Sequence, residues 1–260
     1  MANEKYDWVG PFSDGLAQVK FKEKYGFVNK EGEVVIPLEY DSAGPFSKGL
    51  AKVERDDKWG FVNEQGTVVI PLEYDEVGNF DEGLVAVKLG DTWGFVDVTG
   101  NEVVPLKHDE VGSFSEGLVA VKLGDTWGFY DQHGTVVIPL QYDKVGSFSE
   151  GLAAVKLNDE WGFIDKDGNE VVPLMYDYVD DFHDGLAKVR LGNQWGCVDT
   201  TGREVLPCIY PREGNLPETN KIPARSRRFI RMYESFSNEL QVLRPDFNWK
   251  AWYEQVKERN

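Results

Sequence analysis

The sequence predicts an all-β protein built from six tandem repeats of 34 residues. An aromatic residue followed by glycine recurs at this interval without an insertion, and so does a proline. The aromatic residues are Tyr25, Trp59, Trp93, Trp127, Trp161 and Trp195, and the prolines are Pro37, Pro71, Pro105, Pro139, Pro173 and Pro207. A unit this short cannot bury its own apolar face, so neighbouring units must complete one another's cores, and function in such arrays usually belongs to an extended surface.

The unit around Trp93 shows how each element is predicted. Residues 84–89 and their copies alternate between apolar and charged residues, which indicates a half-buried strand. Gly90 and Asp91 tolerate the positive φ of a two-residue hairpin turn. Residues 92–97 predict the next strand, which ends in the turn from Asp97 to Gly100, and residues 102–104 return as another strand. Pro105 has no N–H for a ladder and belongs at a strand end or edge.

The opening piece of this unit, residues 74–80, predicts either a fourth, brief strand or an ordered connector. A period of 34 residues also fits pairs of helices, but the valine-rich alternation, the prolines and three glycine turns per unit exclude them. Propeller blades usually run to about 40 residues or more. We therefore expect an open superhelical or solenoid-like array, with a closed propeller-like ring as the alternative.

The chain changes character after the repeats, which span residues 6–209. Residues 210–223 contain three prolines and one glycine and predict a connector. Residues 224–260 carry apolar residues at helical spacing and predict a C-terminal α-helical cap for the last repeat. The alternative is a helical docking element with a basic edge formed by Arg225, Arg227, Arg228 and Arg231.

The composition, 41% hydrophobic with a net charge of −17, indicates a folded and acidic protein. No apolar leader or run of 18 apolar residues occurs, so we expect a cytoplasmic protein without a membrane partner. The negative charge disfavours nucleic acid and favours a protein partner with a basic surface. Cys197 and Cys208 lack metal-type spacing and are predicted to be core thiols, with a bridge between them as the alternative.

The repeated pattern Phe-x-x-Gly-Leu-Ala-x-Val, Trp-Gly-Phe-Val-Asp and Gly-x-x-Val-Val-Pro resembles the bacterial WG-repeat family, which takes its name from the tryptophan–glycine pair. The resemblance covers residues 6–209, with Tyr25, Cys197 and His108 as departures from the pattern. It implies a bacterial β-repeat protein that acts as a binding or scaffolding array, and it supplies no catalytic residues.

Repeated acidic residues suggest two kinds of role. One set lies before the glycine of a turn, where Asx bonding explains it better than a calcium ladder does; it comprises Asp97, Asp131, Asp165, Asp199, Asn29 and Asn63. A second set follows Tyr or His at each junction between units, where we expect hydrogen bonds between repeats; it comprises Asp41, Asp75, Asp109, Asp143 and Asp177.

The tryptophans suit either sugar or choline stacking or close packing under a neighbouring unit, and we expect the packing role. His108, His133 and His183 occupy different positions in their units and assemble no shared site. No catalytic elbow, phosphate loop, dinucleotide fingerprint or zinc motif occurs, so we expect no enzyme, no cofactor, no metal and no small-molecule ligand.

The leading hypothesis from the sequence is therefore a non-enzymatic protein-binding scaffold or adaptor that uses an extended acidic β-repeat surface. One alternative is carbohydrate or cell-envelope binding through rows of tryptophans. Another is an acidic inhibitor that mimics nucleic acid.

Overall fold

The computed structural model describes residues 5–213, and this part of the chain is built from 24 β-strands in six four-stranded sheets. The predicted tandem β-repeats are confirmed, and the opening segment of each unit is a strand. The predicted cap over 224–260, with its four arginines, lies outside the described residues, as does the connector beyond residue 213. The choice between an open array and a closed ring stays a prediction.

The first three sheets follow one another along the chain. The first sheet contains β1 (Trp8–Ser13), β2 (Leu16–Phe21), β3 (Lys24–Val28) and β4 (Val34–Tyr40). The second contains β5 (Ser42–Ala43), β6 (Leu50–Arg55), β7 (Lys58–Asn63) and β8 (Val68–Tyr74). The third contains β9 (Glu76–Asp81), β10 (Leu84–Leu89), β11 (Thr92–Asp97) and β12 (Glu102–His108).

The last three sheets repeat this order. The fourth contains β13 (Glu110–Ser115), β14 (Leu118–Leu123), β15 (Thr126–Asp131) and β16 (Val136–Tyr142). The fifth contains β17 (Lys144–Val145), β18 (Leu152–Leu157), β19 (Glu160–Asp165) and β20 (Glu170–Tyr176). The sixth contains β21 (Tyr178–Val179), β22 (Leu186–Leu191), β23 (Gln194–Asp199) and β24 (Glu204–Tyr210).

Each sheet is an antiparallel meander whose strands pair in chain order. The second and third strands are joined by a two-residue turn at what we call the hairpin end of the sheet. Asn158 and Asp159 both have positive φ, 51° and 70°, as a type I′ turn requires, and Gly90 has a φ of 63° at the start of its turn. The hairpins predicted from these residue pairs are confirmed.

The glycine of each aromatic–glycine pair lies beneath a bulge in the fourth strand. In the third sheet Trp93 pairs with His108 and Phe95 with Val104, so residues 105–107 face the single residue Gly94. A Cβ at position 94 would lie 2.6 Å from the carbonyl oxygen of Val104 and 2.9 Å from the nitrogen of Leu106. Glycine is required because main chain occupies the space of a side chain. Pro105 lies in this bulge on an outer strand, as its missing N–H predicts.

The described residues divide into two compact units, one of residues 5–125 and 129–136 and the other of residues 126–128 and 137–213. In the first unit the core lies between successive sheets. Phe27 and Ile36 of the first sheet pack with Phe46 and Val53 of the second, and the rings of Phe27 and Phe46 meet edge to face at 4.8 Å. The same ring contact recurs at 5.0 Å between Phe61 and Phe80.

The second unit has a core of the same kind between the fifth and sixth sheets. Phe163 and Phe182 meet edge to face at 4.6 Å within a cluster that includes Val172 and Val189. A hydrogen bond accompanies this ring contact, in which Ser149 Oγ donates to the carbonyl oxygen of Phe182 at 3.2 Å. Within each unit, neighbouring repeats therefore bury their apolar faces against one another, as the short repeat length predicts.

Candidate interaction surface

The signature aromatic residues lie at the margin of the core and not inside it. Tyr25 and the five aligned tryptophans are all half-buried, whereas the glycine and the residue after it are buried in every repeat. The expected packing role is confirmed in part, because Tyr25 and Trp161 pack against core clusters although neither ring is fully buried. The indole ring is large and carries a polar N–H, so it covers the edge of the core while it stays partly in water.

A cation covers several of these rings. Lys88 lies directly across from Trp93 in the neighbouring strand, with its ammonium group 5.5 Å from the ring centroid. Lys52 lies 5.6 Å from Trp59, and the guanidinium of Arg190 lies 5.8 Å from Trp195. A cation at this distance is attracted by the ring face. The same face is then not open for a stacked sugar unless the cation moves away.

The aspartates at the junctions between sheets cap the hairpin ends. The N–H of Gly90 donates to Asp75 Oδ2 at 2.7 Å, and the N–H of Gly124 donates to Asp109 Oδ2 at 2.7 Å. Asp41, Asp143 and Asp177 accept the equivalent N–H of their own repeats. The role that all five share is therefore a bond within one repeat, and the expected bonding between repeats is confirmed for Asp41 and Asp75.

Only part of this set also links two repeats. Lys58, at the start of β7, donates to Asp75 Oδ1 at 2.5 Å, and Lys24 makes the equivalent bond to Asp41. Hydrogen bonds from Lys58 and then from the Gly90 N–H lower the pKa of Asp75. The later repeats carry Thr92, Thr126, Glu160 and Gln194 at the position of this lysine.

The other repeated carboxylates form Asx turns, as predicted. Asp97 Oδ1 accepts the N–H groups of Thr99 and Asn101 at 2.8 and 3.0 Å. Burial raises the pKa of Asp97, but bonds from Thr99 and Asn101 outweigh it and lower the pKa to about 2. Asn29 and Asn63 make the same backbone bonds without a charge. Among residues 5–213 no group of three or more His, Cys, Asp or Glu side chains is placed to hold a metal ion.

The remaining predicted residues fall into different surroundings. Cys197 and Cys208 are buried free thiols, as expected, and burial raises the pKa of Cys197 to about 12. His133 and His183 are exposed, while His108 is fully buried. In the part of the chain that is described, no helix has the length and apolarity needed to cross a membrane.

The hairpin ends carry exposed carboxylates, of which Asp159 forms an ion pair with Lys156 at 2.7 Å. Each of the four inner repeats carries an aspartate in its two-residue turn, beside the junction aspartate that caps the turn; the turn residues are Asp57, Asp91, Asp125 and Asp159. Asp109 and Asp143 use one carboxylate oxygen for the cap, and Asp109 also interacts with the charge of Lys122. The junction residue is thus a carboxylate that a backbone N–H holds in place. Sequence alone does not reveal this pairing because the two aspartates are about 15 residues apart.

Comparison with solved structures finds distant likenesses. Hsv2p of Kluyveromyces lactis is 9% identical, with 83% of this chain and 79% of that chain covered and a TM-score of 0.38. A eukaryotic initiation factor is 13% identical, with 78% and 65% covered and a TM-score of 0.39. PorZ of Porphyromonas gingivalis, a surface component of the type-IX secretion system, is 8% identical, with 82% and 32% covered and a TM-score of 0.35. Comparison with curated proteins gives no match.

A family model described as a WG containing repeat matches the chain in seven consecutive segments. They are residues 5–25, 25–59, 59–93, 93–127, 127–161, 161–195 and 195–212. The segments meet at the aromatic residue whose glycine lies under the fourth-strand bulge, so the family signature coincides with a steric constraint that recurs in every repeat. The chain therefore belongs to the family of WG-containing repeat proteins.

Proposed function

We propose that this protein is a non-enzymatic scaffold that binds a basic surface of another protein through the hairpin ends of its repeats. The observation that carries the proposal is the pair of aspartates at the hairpin end, of which Asp109 and Asp143 are held by a backbone N–H. A carboxylate already fixed by such a bond loses little conformational entropy when a lysine or arginine binds it.

The charge of the repeats supports a partner that is basic. Residues 1–210 carry about twice as many Asp and Glu residues as Lys and Arg. Such a field raises the association rate of a positively charged protein, and the effect weakens as salt screens it. A scaffold in the cytoplasm is the setting that we propose for this activity.

The test compares the wild-type protein with two variants that carry the same change of charge. The first neutralises the hairpin ends: D91N, D109N, D125N and D143N. Asparagine keeps the oxygen that accepts the backbone N–H, so the cap is retained. The control variant neutralises four carboxylates at the opposite ends of the sheets: E31Q, E64Q, D81N and D167N.

Each protein is immobilised and incubated with bacterial lysate at low and at physiological salt. The proposal expects a protein that the wild type and the control variant retain and the hairpin-end variant loses. Retention of no protein at either salt contradicts the proposal, and so does equal loss from both variants. DNA that displaces the retained protein would instead favour the acidic inhibitor that mimics nucleic acid.

The half-buried tryptophans favour one other candidate, carbohydrate or cell-envelope binding. Against it, cations lie over the rings of Trp59, Trp93 and Trp195. Titration of tryptophan fluorescence with oligosaccharides separates the two functions, because a stacked sugar changes indole emission. K88M uncovers Trp93 and should increase the response if sugars bind there.

A further inference from the structure

Among the residues that the structure describes, His108 is the sole polar or charged residue that is completely buried. It ends β12 and pairs with Trp93 in the neighbouring strand. Neither ring nitrogen makes a well-formed hydrogen bond, although the carbonyl groups of Pro105 and Trp93 lie near the ring. A buried donor without a partner costs free energy, so this residue needs an explanation.

The other repeats show what normally occupies this position. They carry a tyrosine at the end of the fourth strand, and four of the five are buried: Tyr40, Tyr74, Tyr142 and Tyr176. Tyr176 donates its hydroxyl to Glu204 Oε1 of the next repeat at 3.3 Å. The residue at the position of Glu204 relative to His108 is Val136, which offers no acceptor. His108 is thus a titratable side chain at a position where the other repeats carry a tyrosine, and Val136 offers it no acceptor.

Few charges surround the ring. Lys107 and Asp109 flank it along the chain, and Tyr130 of β15 meets it edge to face with ring centroids 5.3 Å apart. Burial has the largest influence and lowers the pKa of His108. The carbonyl of Pro105 opposes it, the charge of Lys107 lowers the pKa further, and Trp93 and Asp109 raise it by less. Thus the folded protein holds His108 in the neutral form.

We propose that His108 is a pH-sensitive switch whose protonation in mildly acidic solution loosens the packing of the end of β12 against β15. An imidazolium without a partner is not stable in a fully buried position, so binding of the proton and opening of the packing occur together. The device acts on one junction, between the third and fourth sheets, because the other repeats carry a tyrosine there.

The direction follows from the lowered pKa. An unfolded histidine titrates near a pKa of about 6.5, and the folded state takes up the proton only at a lower pH. The contribution of neutral His108 to the free energy of unfolding is complete above a pH of about 6.5. It decreases as the pH falls below about 6.5. Each pH unit below about 6.5 raises the unfolding equilibrium constant by up to about tenfold, until the folded pKa is reached.

The test uses H108Y, which installs the residue that the equivalent positions carry. Hydrogen exchange of segments 102–109 and 126–131 is measured in wild type and variant at pH 7.5 and 5.5, each pair at the same pH. Urea unfolding is measured over the same range. The switch predicts that acid accelerates exchange more in the wild type than in H108Y, and that the two unfolding constants diverge by up to about tenfold per pH unit.

Two further variants distinguish a switch from simple packing. V136E places a carboxylate where Glu204 lies relative to Tyr176, and it should reduce the acid response while His108 is retained. Y142H moves the histidine to the next repeat and should create a second acid response there. If H108Y changes stability equally at both pH values, or if V136E leaves the acid response unchanged, the proposal is wrong.

Discussion

The glycine under the fourth-strand bulge offers the sharpest test of why this sequence folds as it does. We consider the substitution Gly94→Ala in the third repeat. The added Cβ would lie 2.6 Å from the carbonyl oxygen of Val104 and 3.0 Å from Cα of Leu106. Ordinary contacts are about 3.4 Å or longer, and every atom involved belongs to the main chain, so no flexible side chain can move aside.

The magnitude follows from the atoms that must shift. Overpacking of a tight site costs about 1–3 kcal/mol when backbone has to move. Because the clash involves three backbone atoms, we expect the upper part of this range, about 2–3 kcal/mol. In a protein of this size that corresponds to a decrease in Tm of about 4–12 °C.

The matched control is Gly78→Ala in the same sheet. A Cβ at position 78 would lie 3.5 Å from Cβ of Ala86, which is an ordinary contact, and the φ of Gly78 is not in the left-handed region. Alanine also restricts the unfolded chain, so we expect this variant to be neutral or more stable by about 0.4–1 kcal/mol.

The assay is urea unfolding followed by tryptophan fluorescence and circular dichroism, with thermal melts as a second measurement. The steric explanation requires a clear separation between the two variants. If G94A lies within about 0.5 kcal/mol of wild type, or if G78A is equally destabilised, the bulge does not explain the glycine.

Three further outcomes are expected. In a double-mutant cycle of Phe27→Ala and Phe46→Ala, unfolding should show a coupling of about 0.5–1.5 kcal/mol, and simple additivity would exclude a direct ring contact. Asp75→Ala should lower the urea midpoint by more than Asp75→Asn, because asparagine keeps an acceptor for the Gly90 N–H; equal losses would contradict the cap. Asp97 stabilises the fold above pH 4 and loses this contribution as the pH falls toward 2, so D97N should unfold with a weaker acid dependence over that range, and an unchanged dependence would argue against the lowered pKa.

Much of the fold could be predicted because local chemistry repeats six times. The alternation of apolar and charged residues in β2 and its copies indicates a strand. The glycine and aspartate of the turns and the proline of the fourth strand allow few backbone conformations. Asp97 and its equivalents also needed no tertiary information, since an Asx turn closes within four residues.

The candidate site was less accessible to sequence reasoning. The tryptophans were expected in the core, but an amphipathic ring at the edge of a sheet is only half covered, and the covering cation comes from another strand. The junction aspartates were expected to join repeats, but all of them also accept a backbone N–H from the hairpin turn of their own repeat, as Asp75 and Asp109 do. The burial of His108 had one visible signal, the tyrosine at the same position of the other units.

The repeat, its strands and its turns can be predicted from the order of the residues, because these features depend on periodicity and on the backbone preferences of single residues. Tertiary structure alone decided which groups meet: Phe27 with Phe46, Lys88 with Trp93, and a main-chain bulge over Gly94. Such contacts join residues that lie apart along the chain, and their distances depend on how strands are paired and how sheets are stacked. Composition and spacing do not contain that geometry.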